Sequence, residues 1–274
     1  MAVTHTPTPT TREALTPDGV RISYDDLGQG EPALLLLPGW AHSRRVYEEL
    51  APLSATHRRT LALDWRGHGH SGPPPVEFGH ADMVEDALAV IEASGAQQVV
   101  PVGQAHGNWV IVELRRRLGG RVPRLVALSW LVLGMPPAFK SALEAMQDPW
   151  RWEQARDALF AMWTQGVDNP AVTRHVREDF AQSGYQMWAR AGREVVAAYA
   201  QWGSPLQALA RLEPPAPTLH LYAQPTDPSY LTAQQAFATE HPWFSILRLE
   251  ARSHFPSIEV PEETSAAIER FVGG

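Results

Sequence analysis

The chain has 274 residues, a formal net charge of -7, 44% hydrophobic residues and no cysteine. Such a length and apolar fraction suit one large domain with a substantial core. The negative balance, without any Lys/Arg cluster, argues against nucleic acid or an anionic membrane as partner, and the lack of cysteine excludes disulfides, thiol nucleophiles and thiolate metal sites. Met1 to Arg12 is Thr/Pro-rich without an apolar centre, so residues 1–12 are expected to be a disordered N-terminus and neither signal peptide nor anchor. No apolar run approaches the span of a bilayer, which leaves a cytoplasmic enzyme as the expectation.

In chain order, Val20-Arg21-Ile22-Ser23-Tyr24 alternates apolar and polar as a half-exposed edge strand does, and Gly28-Gln29-Gly30 closes it. Ala33 to Leu37 is a continuous apolar run ending at Pro38-Gly39, the mark of a parallel strand buried on both faces, and Thr60 to Asp64 is the next strand. Asp82 to Ala93 carries Met83, Ala87, Val90 and Ile91 at helical spacing and predicts a helix covering one face of the sheet. A strand from Val99 then turns into a helix from His106 to Arg117, whose basic end suits a helix C-terminus. Arg124 to Leu133 reads as another buried strand, stopped by Gly134 and Pro136-Pro137.

From there to Ser204-Pro205 the pattern is helical and aromatic, with Trp150, Trp152, Phe160, Trp163, Phe180 and Trp188 among its residues. Alternation resumes with strands at Pro217 to Tyr222 and Phe244 to Leu249, and a helix from Glu262 to Phe271 ends the chain. Alternating strands and helices predict an α/β architecture, a mostly parallel sheet flanked by helices, formed by 13–133 and 206–274. Residues 134–205 would be a helical cap over the C-terminal edge of the sheet, with a ligand cavity beneath it. Leu143, Met146, Phe160 and Met162 would give that cavity room for an apolar tail. The ten tryptophans exceed what a core of this size needs; packing of the cap and aromatic walls around a flat ligand both account for the excess.

The stretch Gly103-Gln104-Ala105-His106-Gly107 organises the site. It resembles the nucleophile elbow of the α/β-hydrolase fold, Gly-x-Ser-x-Gly, with alanine in place of serine, so the hydroxyl that would attack an acyl carbon is missing. The resemblance implies an oxyanion hole from the backbone N–H groups of Trp40 and His106. It also implies a base at His254, which follows the last strand in the order apex, acid, base. Asp227, after the Leu219 to Tyr222 strand, is the carboxylate best placed to orient that imidazole; it could equally cap the turn before Pro228. His42 and His106 flank the presumed hole and can donate to a substrate oxygen or be ordinary loop histidines. Trp163 is a cleft wall or a core residue of the cap. Asp64-x-Arg66-Gly67-x-Gly69-x-Ser71 is expected to pack the loop beside the elbow, and His68 and His70 lack a third metal ligand nearby.

Further stretches carry a resemblance: Leu37-Pro38-Gly39-Trp40-Ala41-His42 and Asp148-Pro149-x-Arg151-Trp152, and, more specific than the generic hydrolase frame, Gly203-Ser204-Pro205, Gln224-Pro225-Thr226, His241-Pro242-Trp243-Phe244-Ser245 and His254-Phe255-Pro256-x-Ile258-x-Val260-Pro261. With these the chain resembles the cofactor-independent 2,4-dioxygenases of 3-hydroxy-4-oxoquinolines and -quinaldines, including those that open the Pseudomonas quinolone signal. That resemblance implies a small aromatic heterocycle and O2 as partners, no metal or flavin, and release of carbon monoxide and an N-acylanthranilate. His254 would take the proton of the 3-hydroxyl. Two positions depart from the family: Ala105 replaces its serine, and Ser129 stands where the family keeps the aspartate that pairs with the base. Asp227 is expected to take over that pairing; an unassisted base or a weakened enzyme are the alternatives. Other readings of the same fold are a serine-less hydrolase or lyase and a silent protein that binds an aromatic ligand.

Overall fold

The computed structural model describes residues 7–74 and 77–274. Its centre is an eight-stranded sheet of β1 (Thr10–Leu15), β2 (Arg21–Leu27), β3 (Ala33–Leu37), β4 (Thr60–Leu63), β5 (Val99–Gln104), β6 (Leu125–Leu128), β7 (Thr218–Tyr222) and β8 (Phe244–Arg248). The order across the sheet is β1-β2-β4-β3-β5-β6-β7-β8. β2 runs antiparallel to both its neighbours, and every pair from β4 to β8 is parallel. All five residues of β3 are buried, as an unbroken apolar run in a strand covered on both faces requires. Each of its leucines contributes about 1.5–3 kcal/mol of transfer free energy.

Helices cover the sheet: α1 (Leu50–Ala55), α2 (His80–Ser94) and α3 (Gly107–Leu118) precede β6, and α4 (Pro137–Ala145), α5 (Trp152–Trp163), α6 (Pro170–Glu178), α7 (Tyr185–Trp202) and α8 (Pro205–Ala210) lie between β6 and β7. α9 (Pro228–Glu240), α10 (Pro256–Glu259) and α11 (Pro261–Gly273) complete the chain. Among the described residues no helix is long and apolar enough to cross a membrane.

Four expectations are corrected. Thr10, Arg12 and the residues between them are ordered in β1, which pairs along its length with β2; residues 1–6 lie outside the described part. β2 is therefore not the edge strand, since β1 lies outside it. β6 stops at Leu128, five residues before the apolar run does, because Ser129 turns to a φ of 52° and the chain leaves the sheet. There the Tyr230 hydroxyl donates to the Trp130 carbonyl at 2.8 Å and accepts from the Val132 N–H at 3.0 Å. Finally, Leu143, Met146 and Phe160 are packed with Phe180 and Trp188 in one core, whereas Met162 is half exposed on the surface.

Candidate active site

The sheet's C-terminal edge gathers the candidate residues, where open α/β sheets place their ligands. β5 ends and α3 begins around Ala105, whose φ is 48°. Glycine is needed on both sides: a Cβ at Gly103 would lie 2.7 Å from the Asn108 N, and one at Gly107 would lie 2.5 Å from the Leu37 carbonyl oxygen. Among the described residues, the non-glycine residues with positive φ are Ala41, Ala105 and Ser129, with values of 63°, 48° and 52°. They stand where the chain leaves β3, β5 and β6, so the strained backbone is concentrated at one edge of three neighbouring strands. Neither the Trp40 nor the His106 N–H donates to an acceptor among the described residues, which leaves both free for a ligand oxygen.

On one side of this edge is His254, in the loop between β8 and α10. Its N–H donates to the Trp163 carbonyl at 3.0 Å, and its ring lies parallel to the Trp163 indole, with centroids 4.8 Å apart and planes at 16°. Burial pushes its pKa down to about 4, so the imidazole is neutral at pH 7. Its ring bonds no carboxylate among the described residues. Asp227 does not pair with His254 among the described residues: it is exposed, caps α9 and accepts from the Ser229 N–H at 2.8 Å, so its carboxylate is spent on the helix start. The Ser129 hydroxyl is buried and has no partner among the described residues.

Trp40 and His106 lie deeper, 5% and 4% exposed, with ring centroids 5.5 Å apart. His106 meets His80 edge to face at 5.6 Å, and burial, then the neighbouring His80, pushes its pKa well below the usual range. Both its ring nitrogens and the Trp40 Nε1 are buried and have no partner among the described residues. His68, by contrast, is fully used: Nε2 accepts from the Ala41 N–H at 3.0 Å and Nδ1 lies 2.9 Å from the Arg66 carbonyl. Asp64 receives the N–H groups of Arg44 and His70 and pairs with the Arg44 guanidinium, while Arg66 bonds Asp86 at 2.9 Å, so that segment braces the loops.

His42 is 2% exposed, and its Cδ2 lies 3.1 Å from where a Cβ on Gly39 would stand, beside Ala105. Its Nδ1 is 3.0 Å from the Nε2 of His175, and the two ring planes differ by 1°. Asp179 lies 3.6 Å from the other nitrogen of His175 and accepts from the Ser43 hydroxyl and N–H at 2.8 and 3.1 Å. The sequence reading singled out neither His175 nor Asp179. Their spacing of four puts them on one helical face, but nothing in the sequence tells which loop that face meets. Phe180 stacks on His42 with centroids 3.7 Å apart and lies parallel to Trp163, so a column of flat rings joins the two sides of the site.

The sheet order, the elbow between β5 and α3 and a histidine after the last strand define the class of the molecule as an α/β-hydrolase fold. The model described as "Alpha/beta hydrolase family" matches residues 34–267. The 2-heptyl-3-hydroxy-4(1H)-quinolone dioxygenase of Mycobacteroides abscessus is 39% identical over 94% of this chain and 97% of its own length. The 1H-3-hydroxy-4-oxoquinoline 2,4-dioxygenase of Pseudomonas putida is 34% identical over 95% and 99%. A solved structure of AqDC with its product, described for recognition and ring cleavage of the Pseudomonas quinolone signal, superposes with a TM-score of 0.90 at 38% identity and covers 97% of this chain and 100% of that one. The chain belongs to the hydroxyquinolone 2,4-dioxygenases of the α/β-hydrolase family.

Proposed function

We propose that this chain opens the heterocycle of 2-alkyl-3-hydroxy-4(1H)-quinolones with dioxygen, giving an N-acylanthranilate and carbon monoxide. The observation that carries this reading is likeness to such dioxygenases along nearly the whole chain, with 39% identity over 94% of its residues. His254 takes the proton of the 3-hydroxyl; as a neutral imidazole it is ready to do so at pH 7. The resulting anion gives an electron to O2, and the two radicals combine at C2. The peroxide closes on C4, the O–O bond and the C2–C3 and C3–C4 bonds break, and C3 leaves as carbon monoxide with its oxygen. Each oxygen atom of O2 ends in the product, one in the amide and one in the carboxylate, and one proton is released.

The free N–H groups of Trp40 and His106 support developing negative charge, and the Trp163 indole is a flat wall beside the base. Ala105 lacks the hydroxyl an esterase needs, which this chemistry does not require of it. The helical insertion 137–202 is the cap that keeps water from the anion. We place the reaction in the cytoplasm. The test is to incubate the protein with 2-heptyl-3-hydroxy-4(1H)-quinolone and follow absorbance, oxygen and headspace gas. Oxygen uptake equal to carbon monoxide release is expected; thermal stabilisation without oxygen uptake would replace this reading with that of a binding protein.

A further inference from the structure

Position 129 is a serine and brings His254 no carboxylate, yet an imidazole–carboxylate arrangement does reach the elbow through His42. The two rings of His42 and His175 are coplanar to within 1°, with centroids 5.3 Å and facing nitrogens 3.0 Å apart. A separation so much longer than the nitrogen contact means that the rings lie edge to edge in one plane, joined by a straight hydrogen bond. Behind His175, Asp179 is 3.6 Å from Nδ1 and is pinned by both the N–H and the hydroxyl of Ser43. Adjacent loop residues His42 and Ser43 are thus clasped by two residues one helical turn apart. At the outer end, His175 and Asp179 line a small surface pocket with Arg45, Glu48 and Arg174. At the inner end, His42 abuts Gly39 and Ala105.

The order of charges fixes the protons. A carboxylate beside His175 Nδ1 holds a proton there, which leaves Nε2 as an acceptor. His42 must then donate through Nδ1, and its Nε2, which bonds nothing among the described residues, is a lone pair. We propose that His175 and Asp179 are positioning residues that hold His42 as a second proton acceptor at the elbow, supplying from the insertion the carboxylate support that Ser129 withholds from His254. The proposal rests on the dioxygenase reading for its kinetic consequences and on the ligand-free structure for the tautomer. A proton arriving at His42 Nε2 can pass by exchange of N–H bonds to His175, which itself lines the surface pocket, where the proton that the reaction releases meets solvent. The titratable and charged groups facing the pair are His254 and His68 around His42, and Asp179 and Arg45 around His175.

The experiment has two arms. In the first, nitrogen-15 NMR of the ligand-free protein reads the His42 tautomer, assigned by loss of its signals in His42→Gln. The Nδ1–H form is expected, and in His175→Phe, which keeps a flat ring against Phe180, that preference is lost. An Nε2–H form in the unmodified protein overturns the proposal whatever the activity. In the second, Asp179→Asn is compared with the unmodified enzyme. Without the carboxylate the imidazolium is less stabilised, so kcat is expected to fall by about 10-fold or more with KM within about 2-fold, and the acidic limb of the pH profile to move to lower pH. Adding Ser129→Asp to Asp179→Asn is expected to restore part of kcat. A fall in kcat with an unmoved pH limb and no recovery marks a merely structural role and overturns the proposal. Absence of turnover in the unmodified protein would instead refute the dioxygenase reading and leave the first arm intact.

Discussion

Two histidines, His42 and His254, lie beside the elbow, and their surroundings differ. His254 is held by its backbone and by the Trp163 ring, with no acidic partner among the described residues, while His42 is held through its ring, by His175 and beyond it Asp179. Both are buried enough to be neutral at pH 7. An imidazole's basicity in a protein is therefore set less by its own position in the chain than by which charge a neighbouring element brings to its far nitrogen.

The strongest way to break the comparison is His254→Ala. If this imidazole is the base, oxygen consumption with the quinolone falls by about 10²–10⁴-fold. A rate near that of the unmodified enzyme would shift the role to His42. The sharper test is Ser129→Asp, at a φ that aspartate tolerates better than most residues. A carboxylate at this position stabilises the imidazolium, so the acidic limb of kcat/KM is expected to rise toward the usual histidine range, with about a 10-fold gain in kcat; an unmoved limb would mean that position 129 does not reach His254.

Stability against pH probes the shared feature, neutrality by burial. His68, His80, His175, His220 and His254 are each pushed from 6.5 to about 4. The unfolded chain takes up protons near 6.5 while the folded one resists until about 4, so the unfolded state holds more protons within this window and stability rises with pH across it. On acidification from 6.5 to 4 the melting temperature is expected to fall steadily, and a flat profile over that range would contradict the burial of these rings. The smallest effect belongs to Asp227→Asn. Asparagine caps a helix as well as aspartate does, so turnover and its pH profile should be unchanged; any shift of the pH limb would return Asp227 to the site.

Much of this molecule was legible in its residues. Apolar runs at Ala33–Leu37, Thr60–Leu63 and Thr218–Tyr222 are buried strands because only a strand covered on both faces can use side chains of one kind throughout. The elbow was visible because its two glycines stand where a Cβ would strike backbone within 2.7 Å. β1 was not, since Thr10–Leu15 is mostly exposed and is a strand only by virtue of its pairing with β2. Nor was the end of β6: beyond Leu128 the run continues apolar, and Trp130 and Val132 are buried in the core, but Leu133 is exposed and none of these residues belongs to the strand.

The sequence by itself determined the fold class, the bend that carries Ala105 and the loop that carries His254, because local backbone sterics and chain order suffice for all three. Only the tertiary structure decided which carboxylate serves which imidazole. Asp227 and Asp179 are chemically alike, but one is turned outward by the helix it caps, and the other meets Ser43 across 136 residues of sequence. Such contacts depend on how the helical insertion docks on the sheet, a sum over many weak packing interactions that no local pattern records.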